Sequence, residues 1–129
     1  MLIAPGQEID RYRVVRVLGQ GGMAEVYLVQ HKTLGTHHAL KVLTHASGPI
    51  RERLIQEGRV QAHLKHPNLV AVTDVLEIDG VPGLLMEYVD GPSLYQWLQK
   101  ERPPLEDAER LFRGVLAGVQ YAHEAGFIP

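Results

Sequence analysis

The sequence predicts an α+β fold: a five-stranded antiparallel sheet with one helix inserted after its third strand, followed by two more helices. Three observations carry this. Short runs rich in β-branched and aromatic residues recur between Tyr12 and Val89, separated by glycine-, asparagine- or aspartate-bearing turns. One stretch, Ile50 to Leu64, interrupts them with helical rather than alternating spacing. Beyond Asp90-Gly91-Pro92 the alternation gives way to a 3, 4 spacing.

Tyr12 to Leu18 reads as the first strand, ended by glycines, and Val26 to Gln30 as the second. His31-Lys32-Thr33-Leu34-Gly35 makes the turn into a third strand, Thr36 to Leu43, which completes a meander with short links. After the loop His45-Ala46-Ser47-Gly48-Pro49 comes the helix Ile50–Leu64, with Leu54, Ile55, Gly58 and Ala62 on one stripe. Gly58 costs that helix about 0.8–1 kcal/mol relative to alanine, which points to close packing or to a helix that shifts. His66-Pro67-Asn68 stops it. Leu69 to Ile78 and Val81 to Val89 are the fourth and fifth strands, joined at the hairpin signal Asp79-Gly80, and Pro82 suits a strand end. Ser93 with Gln96 fits a capping box that opens a short helix through Trp97 and Leu98. The last helix carries Leu105, Ala108, Leu111, Phe112, Val115, Leu116, Val119 and Ala122 on one stripe, with Gly126 as its stop. So broad an apolar stripe needs a surface to lie against, and the residues after it, Phe127-Ile128-Pro129, do not provide one.

The functional centre of the sequence is Leu18-Gly19-Gln20-Gly21-Gly22-Met23-Ala24-Glu25-Val26, followed by Ala39-Leu40-Lys41. Glycines in such a turn let backbone N–H groups approach phosphate oxygens that a Cβ would fend off. In a Rossmann unit or a P-loop the glycines open a helix. Here they open a strand: Ala24, Val26 and Leu28 fall on one face and Glu25, Tyr27 and Val29 on the other. The Gly-Lys-Ser/Thr ending of a P-loop is also missing. What remains is a glycine flap between antiparallel strands, lying over a nucleotide. Ala39 and Lys41, two apart on their strand, share a face, and a small side chain beside a cation leaves room for a flat ring next to a charge. Taken alone, Lys41 also reads as a solvated strand lysine, and Glu57, at the edge of its helical stripe, as a surface charge.

Composition sets outer limits. The chain has 129 residues, 45% of them apolar, with a formal net charge of −2, as expected of a single globular domain or part of a larger one. No basic block marks a nucleic-acid or anionic-membrane surface. There is no cysteine, which excludes disulfides and thiolate metal sites. Met1 to Gly6 lacks the basic and apolar regions of a signal peptide, and no run approaches the roughly 20 apolar residues of a membrane span. The expected location is cytoplasmic. His31, His37 and His38 cluster near one hairpin, but His37 and His38 point to opposite faces and have no carboxylate or cysteine at ligand spacing, so no metal site is expected.

In this order, these motifs resemble a protein kinase catalytic domain, and most closely the bacterial eukaryotic-like (Hanks-type) serine/threonine kinases. The loop Gly19 to Tyr27 fits the family pattern, with Ala24 where a third glycine often stands. His38-Ala39-Leu40-Lys41 matches the Val-Ala-Ile-Lys strand, with histidine in the valine place, and Glu57 falls where the family helix carries the glutamate that pairs with the lysine. His66-Pro67-Asn68-Leu69-Val70 and Leu85-Met86-Glu87-Tyr88-Val89-Asp90-Gly91 are further family signatures. The resemblance implies a kinase-like N-lobe at 12–88, an N-terminal extension at 1–11, and the hinge with the first helices of an incomplete C-lobe at 89–129.

The resemblance also implies roles. The backbone of Gly19, Gln20, Gly21, Gly22, Met23, Ala24 and Glu25 covers the phosphates of ATP. Lys41 contacts the α- and β-phosphates and Glu57 holds it there. Leu18, Val26 and Ala39 wall the adenine, Met86 is the gatekeeper, and the main chain of Glu87 and Val89 bonds the adenine edge. In the family, the stretch Tyr121 to Ile128 runs into His-Arg-Asp. The 129 residues contain neither that motif nor Asp-Phe-Gly, so the general base and the Mg²⁺ ligands are expected elsewhere and this chain alone is expected to be catalytically incomplete. The expected partners are ATP, a protein substrate once a C-lobe completes the site, and a second copy or another protein on the apolar face of the last helix. The alternative is a naturally short, pseudokinase-like module that binds nucleotide or protein without chemistry.

Overall fold

The computed structural model describes residues 3–21, 24–44 and 48–126. Its elements, in order, are β1 (Glu8–Ile9), β2 (Tyr12–Gln20), β3 (Ala24–His31), β4 (His37–Leu43), α1 (Gly48–Ala62), β5 (Val72–Ile78), β6 (Val81–Glu87), α2 (Leu94–Lys100) and α3 (Leu105–Glu124). They form two compact units, one of residues 1–63 and 71–88, the other of residues 64–70 and 89–129.

The first unit is one antiparallel sheet in the order β1-β2-β3-β4-β6-β5, with α1 packed on β5 and β6. The five expected strands are all present. The sixth, β1, lies in the stretch read as an N-terminal extension, and a two-residue pairing has no periodicity for a sequence to display. Its Ile9, together with Ile3, is buried. At this edge of the sheet, Lys32 and Arg13 both reach the Glu8 carboxylate, at 3.3 Å each, and hold its pKa below the ordinary value, Lys32 having the larger effect.

Alternation assigns the two faces of this sheet. Tyr12, Val14, Tyr27, Val29, Leu40, Val42, Leu76 and Leu85 form the main core with Ile3 and Ile9. On the α1 side, Leu43, Val72 and Leu84 pack against Leu54 of the helix. Gly58 is close-packed: a Cβ there would lie 2.7 Å from Leu84 Cδ2, at the end of that side chain. At the β5–β6 turn, Asp79 and Gly80 both have positive φ, 50° and 80°, as a tight two-residue hairpin requires. Pro82 lies beyond the last β4–β6 pair, Val42↔Gly83, so its missing N–H takes no bond from that ladder.

Several boundaries differ from expectation: α1 runs Gly48–Ala62 rather than Ile50–Leu64 and so takes in Gly48 and Pro49, expected as loop, while β2 continues to Gln20 and β3 begins at Ala24. The fourth strand starts at Val72 rather than Leu69, and the fifth ends at Glu87 rather than Val89. Residues 64–70 belong to the second unit, where Asn68 Nδ2 donates to Gly114 O (2.9 Å) and Lys65 N donates to the Tyr121 hydroxyl (3.1 Å). A Cβ on Gly118 would sit 3.4 Å from Asn68 and Leu69, so glycine lets this segment lie close on α3.

The second unit is built on α2 and α3. Both halves of the expected capping box are made: Gln96 N donates to Ser93 Oγ (3.1 Å) and Ser93 N donates to Gln96 Oε1 (2.9 Å). Gly126, with φ 89°, follows the end of α3 as expected of a helix stop. Leu105, Leu111, Phe112, Val115, Leu116 and Val119 of the α3 stripe are exposed. Among the described residues no helix is long and apolar enough to cross a membrane.

Candidate functional site

Directly opposed residues of an antiparallel ladder project to the same side of the sheet. Gly19 faces Val26, Val26 faces Lys41, and Lys41 faces Leu84; one step along, Leu28 faces Ala39 and Ala39 faces Met86. Val26, Ala39, Lys41 and Met86 therefore share one face across three adjacent strands, with the glycine hairpin at its edge. Ala39 is buried, while Val26, Lys41 and Met86 are half-buried, so the patch continues the packed α1-side core into accessible surface. Leu18 is skipped in the register between Val17↔Tyr27 and Gly19↔Val26, a bulge that re-aims the strand just before the loop.

The hairpin closes through the pair Gln20↔Glu25 and a bond from Gly21 N to Ala24 O (2.9 Å). Gly22 and Met23 lie outside the described residues. A Cβ on Gly19 would meet nothing within 4 Å, and one on Gly21 would meet only Ala24 O, at 3.5 Å. Neither residue has positive φ. Among the described residues, neither backbone conformation nor crowding therefore calls for glycine at these two positions.

The Lys41 side chain takes part in none of the ion pairs or side-chain hydrogen bonds among the described residues, and its contact with Glu57 is not made. Glu57 is exposed on α1, which the sheet holds through the buried Leu54 and Gly58. Glu25 faces away from Lys41: it shares the opposite side of β3 with Tyr27, whose hydroxyl donates to Glu25 Oε2. The alternation had already put Glu25 and Tyr27 on one face, but it carries no sign of the bond between them. Glu87 N donates to Ala71 O (2.9 Å) and Glu87 Oε1 accepts from Ala71 N (3.0 Å), which leaves the Glu87 carbonyl as the backbone group of that residue that can serve a ligand. Val89 is exposed and opens the second unit's 89–129 segment.

The histidines near the β3–β4 turn have other partners. His31 Nδ1 accepts from the N–H groups of Thr33 and Leu34, His38 Nε2 lies 2.8 Å from Thr36 Oγ1, and the Tyr12 ring meets both imidazoles edge-on. Burial, and then the charges of His31 and His37, hold the His38 pKa below 6.5. A folded-state pKa below the unfolded one means that the contribution of His38 to stability is complete above pH 6.5 and is lost as pH falls through the depressed value. Wild type should therefore lose thermal stability relative to His38→Gln below pH 6.5, with a constant difference above it. A difference that stays flat through that range would contradict this.

Residues 12–128 match the family model described as the protein kinase domain. The serine/threonine-protein kinase PknF of Mycobacterium tuberculosis is 38% identical over 130 residues, covering 96% of this chain and 27% of its own length. The serine/threonine-protein kinase PknI of the same species is 37% identical over 134 residues, covering 99% of this chain and 23% of its own length. Among solved structures, the crystallised M. tuberculosis PknI kinase domain superposes with a TM-score of 0.80 at 36% identity, covering 97% of this chain and 52% of that one. The chain thus spans about a quarter of the length of these curated relatives, and about half of the crystallised kinase domain.

Proposed function

Because a protein kinase domain model matches nearly all of it, the chain belongs to the protein kinase family, and we propose that it supplies the ATP-binding part of a serine/threonine protein kinase. The observation that carries this is the sheet face on which Val26, Ala39, Lys41 and Met86 converge beside a glycine hairpin. That surface fits ATP: apolar and flat where the small Ala39 lies, cationic at Lys41, and rich in backbone N–H groups at the loop. It does not fit Mg²⁺, a hard cation that needs oxygen ligands, because Val26, Ala39, Lys41 and Met86 offer no carboxylate. The relatives bear kinase names, which favours this reading over a module that binds nucleotide or protein without chemistry.

In this reading residues 12–88 act as the small lobe and 89–129 begin the larger one. The loop from Gly19 to Glu25 covers the triphosphate with its backbone, and Leu18, Val26, Ala39 and Met86 enclose the base. The Glu87 carbonyl and the Val89 main chain bond the adenine edge. Lys41 neutralises the α- and β-phosphates, and Glu57 steadies its ammonium only after α1 moves toward the sheet. The general base and Mg²⁺ ligands come from residues other than these 129, and a protein hydroxyl is the acceptor. The exposed stripe of α3 is then the surface on which the rest of a larger lobe, or a second copy, packs. Such a kinase draws on ATP in the cytoplasm.

Thermal shift of the 129-residue chain at millimolar ATP tests the binding claim. We expect a rise in the wild-type midpoint that Lys41→Ala abolishes, and little added effect of Mg²⁺. A wild-type midpoint unmoved by ATP, or one that moves equally in Lys41→Ala, would sink it.

A further inference from the structure

We propose that Glu25 and Tyr27 are a positioning pair that sets the pitch of the glycine hairpin over the triphosphate. The proposal rests on the nucleotide reading above and deepens it. Glu25 belongs to the loop whose backbone is read as covering the phosphates, and its carboxylate lies on the face of β3 opposite Val26 and Lys41. It therefore acts on the ligand only through the backbone it carries.

That backbone is the last rung before the turn. Gln20↔Glu25 is the final strand pair, and Gly21 N to Ala24 O the only described bond beyond it. The height of that rung depends on what anchors β3 in the sheet, and Tyr27 is the anchor. It is 2% exposed, the largest of the fully buried side chains, and it sits opposite Leu40 in the main core. Its ring cannot swing without disturbing that packing. The hydroxyl at the end of this fixed post donates to Glu25 Oε2 and ties the tip to the core by a charge-assisted bond. Burial first, and then the bond to Glu25, raise the Tyr27 pKa to about 12, so the phenol stays a donor at any working pH.

The other face of the same strand supports this division of labour. With Val26 turned to the ligand side and Glu25 and Tyr27 to the core, the two residues flanking Val26 fix the height at which it and the loop amides stand. Losing the tie leaves the adenine wall in place, because Val26, Ala39 and Met86 are held by the β3–β4–β6 ladder. What loosens is the cover over the phosphates.

The test uses three variants of the 129-residue chain, with ATP and adenosine as paired ligands. Tyr27→Phe keeps the ring and removes the donor; Glu25→Ala removes the acceptor; Glu25→Gln keeps an acceptor oxygen. One hydrogen bond corresponds to about a 3–10-fold change in an equilibrium. Tyr27→Phe and Glu25→Ala should weaken ATP by that factor and leave adenosine unchanged, with Glu25→Gln near wild type. Amide hydrogen exchange between residues 19 and 26 should speed up by a similar factor in the first two variants, while β4 and β6 keep their protection. Equal weakening of ATP and adenosine, or unaltered exchange in the hairpin, would overturn the proposal. A wild-type chain that binds neither ligand would instead overturn the nucleotide reading, and the exchange measurement would still decide whether the pair pins the hairpin.

Discussion

Leu40→Ala is expected to destabilise the sheet unit by about 2–5 kcal/mol, the range for truncating a buried leucine. The size of the effect follows from where Leu40 sits. It is 0% exposed in the middle of β4, opposite Tyr27 on one side and Leu85 on the other, and all three are fully buried. Its Cδ1 would lie only 3.1 Å from a Cβ placed on Gly83, so the side chain already fills the gap that this glycine leaves. Removing three carbons there opens a cavity between Tyr27 and Leu85, both fully buried on the flanking strands, and the walls cannot collapse into it without moving two strands. Against a total of about 5–15 kcal/mol for a typical domain, this is a large share. Urea unfolding should show a lower midpoint with an unchanged m-value. The half-exposed Val75 supplies the control, since Val75→Ala should stay within about 0.5 kcal/mol. Equal effects at Leu40 and Val75 would mean that the core is not where the strand register puts it.

The same register explains how much of the fold was legible before any coordinates. A period of two is a strong signal when each strand buries one face, and over Ala24 to Val29, and for Ala39 with Lys41, it sorted the side chains into the sides the register gives them. That sorting placed Ala39 beside Lys41 and turned Glu25 away from Val26. Asp79-Gly80 joined β5 to β6 for a backbone reason, two successive residues at positive φ. Where these signals stop, so does legibility. β1 is too short to have a period, and its stability comes from Ile9 in the core and from the salt links of Glu8 to Arg13 and Lys32. Leu69 looks like a strand residue because it is apolar, but packing against Gly118 of α3 asks for the same chemistry.

The site divides in the same way. Membership of one face is a matter of register and could be read; contact between elements could not. Glu57 occupies the helix position that the resemblance calls for, yet nothing in the spacing says how near α1 comes to β4, and its carboxylate is exposed. Tyr27 reads as a core aromatic and is one, but the direction of its hydroxyl depends on packing that no local pattern contains.

The 129-residue polypeptide is expected to transfer no phosphate from ATP to a generic protein substrate above a Lys41→Ala control. Kinase catalysis is almost entirely positioning and charge stabilisation around a spreading negative charge. A glycine loop and one lysine address only the nucleotide end of that problem. The hydroxyl of the acceptor needs a base placed within hydrogen-bond reach, and a general base alone is typically worth 10²–10⁴-fold. The phosphates need Mg²⁺ held against them, and the face that carries Val26, Ala39, Lys41 and Met86 has no oxygen ligand to offer it. Neither His-Arg-Asp nor Asp-Phe-Gly occurs among these residues, so both contributions are lost together. Binding and turnover should therefore separate: ATP shifts the melting midpoint of the wild-type chain but not of Lys41→Ala, while radiolabel from γ-labelled ATP stays at the same background in both. Label incorporated by the wild type and abolished by Lys41→Ala would show that these residues alone assemble a complete site.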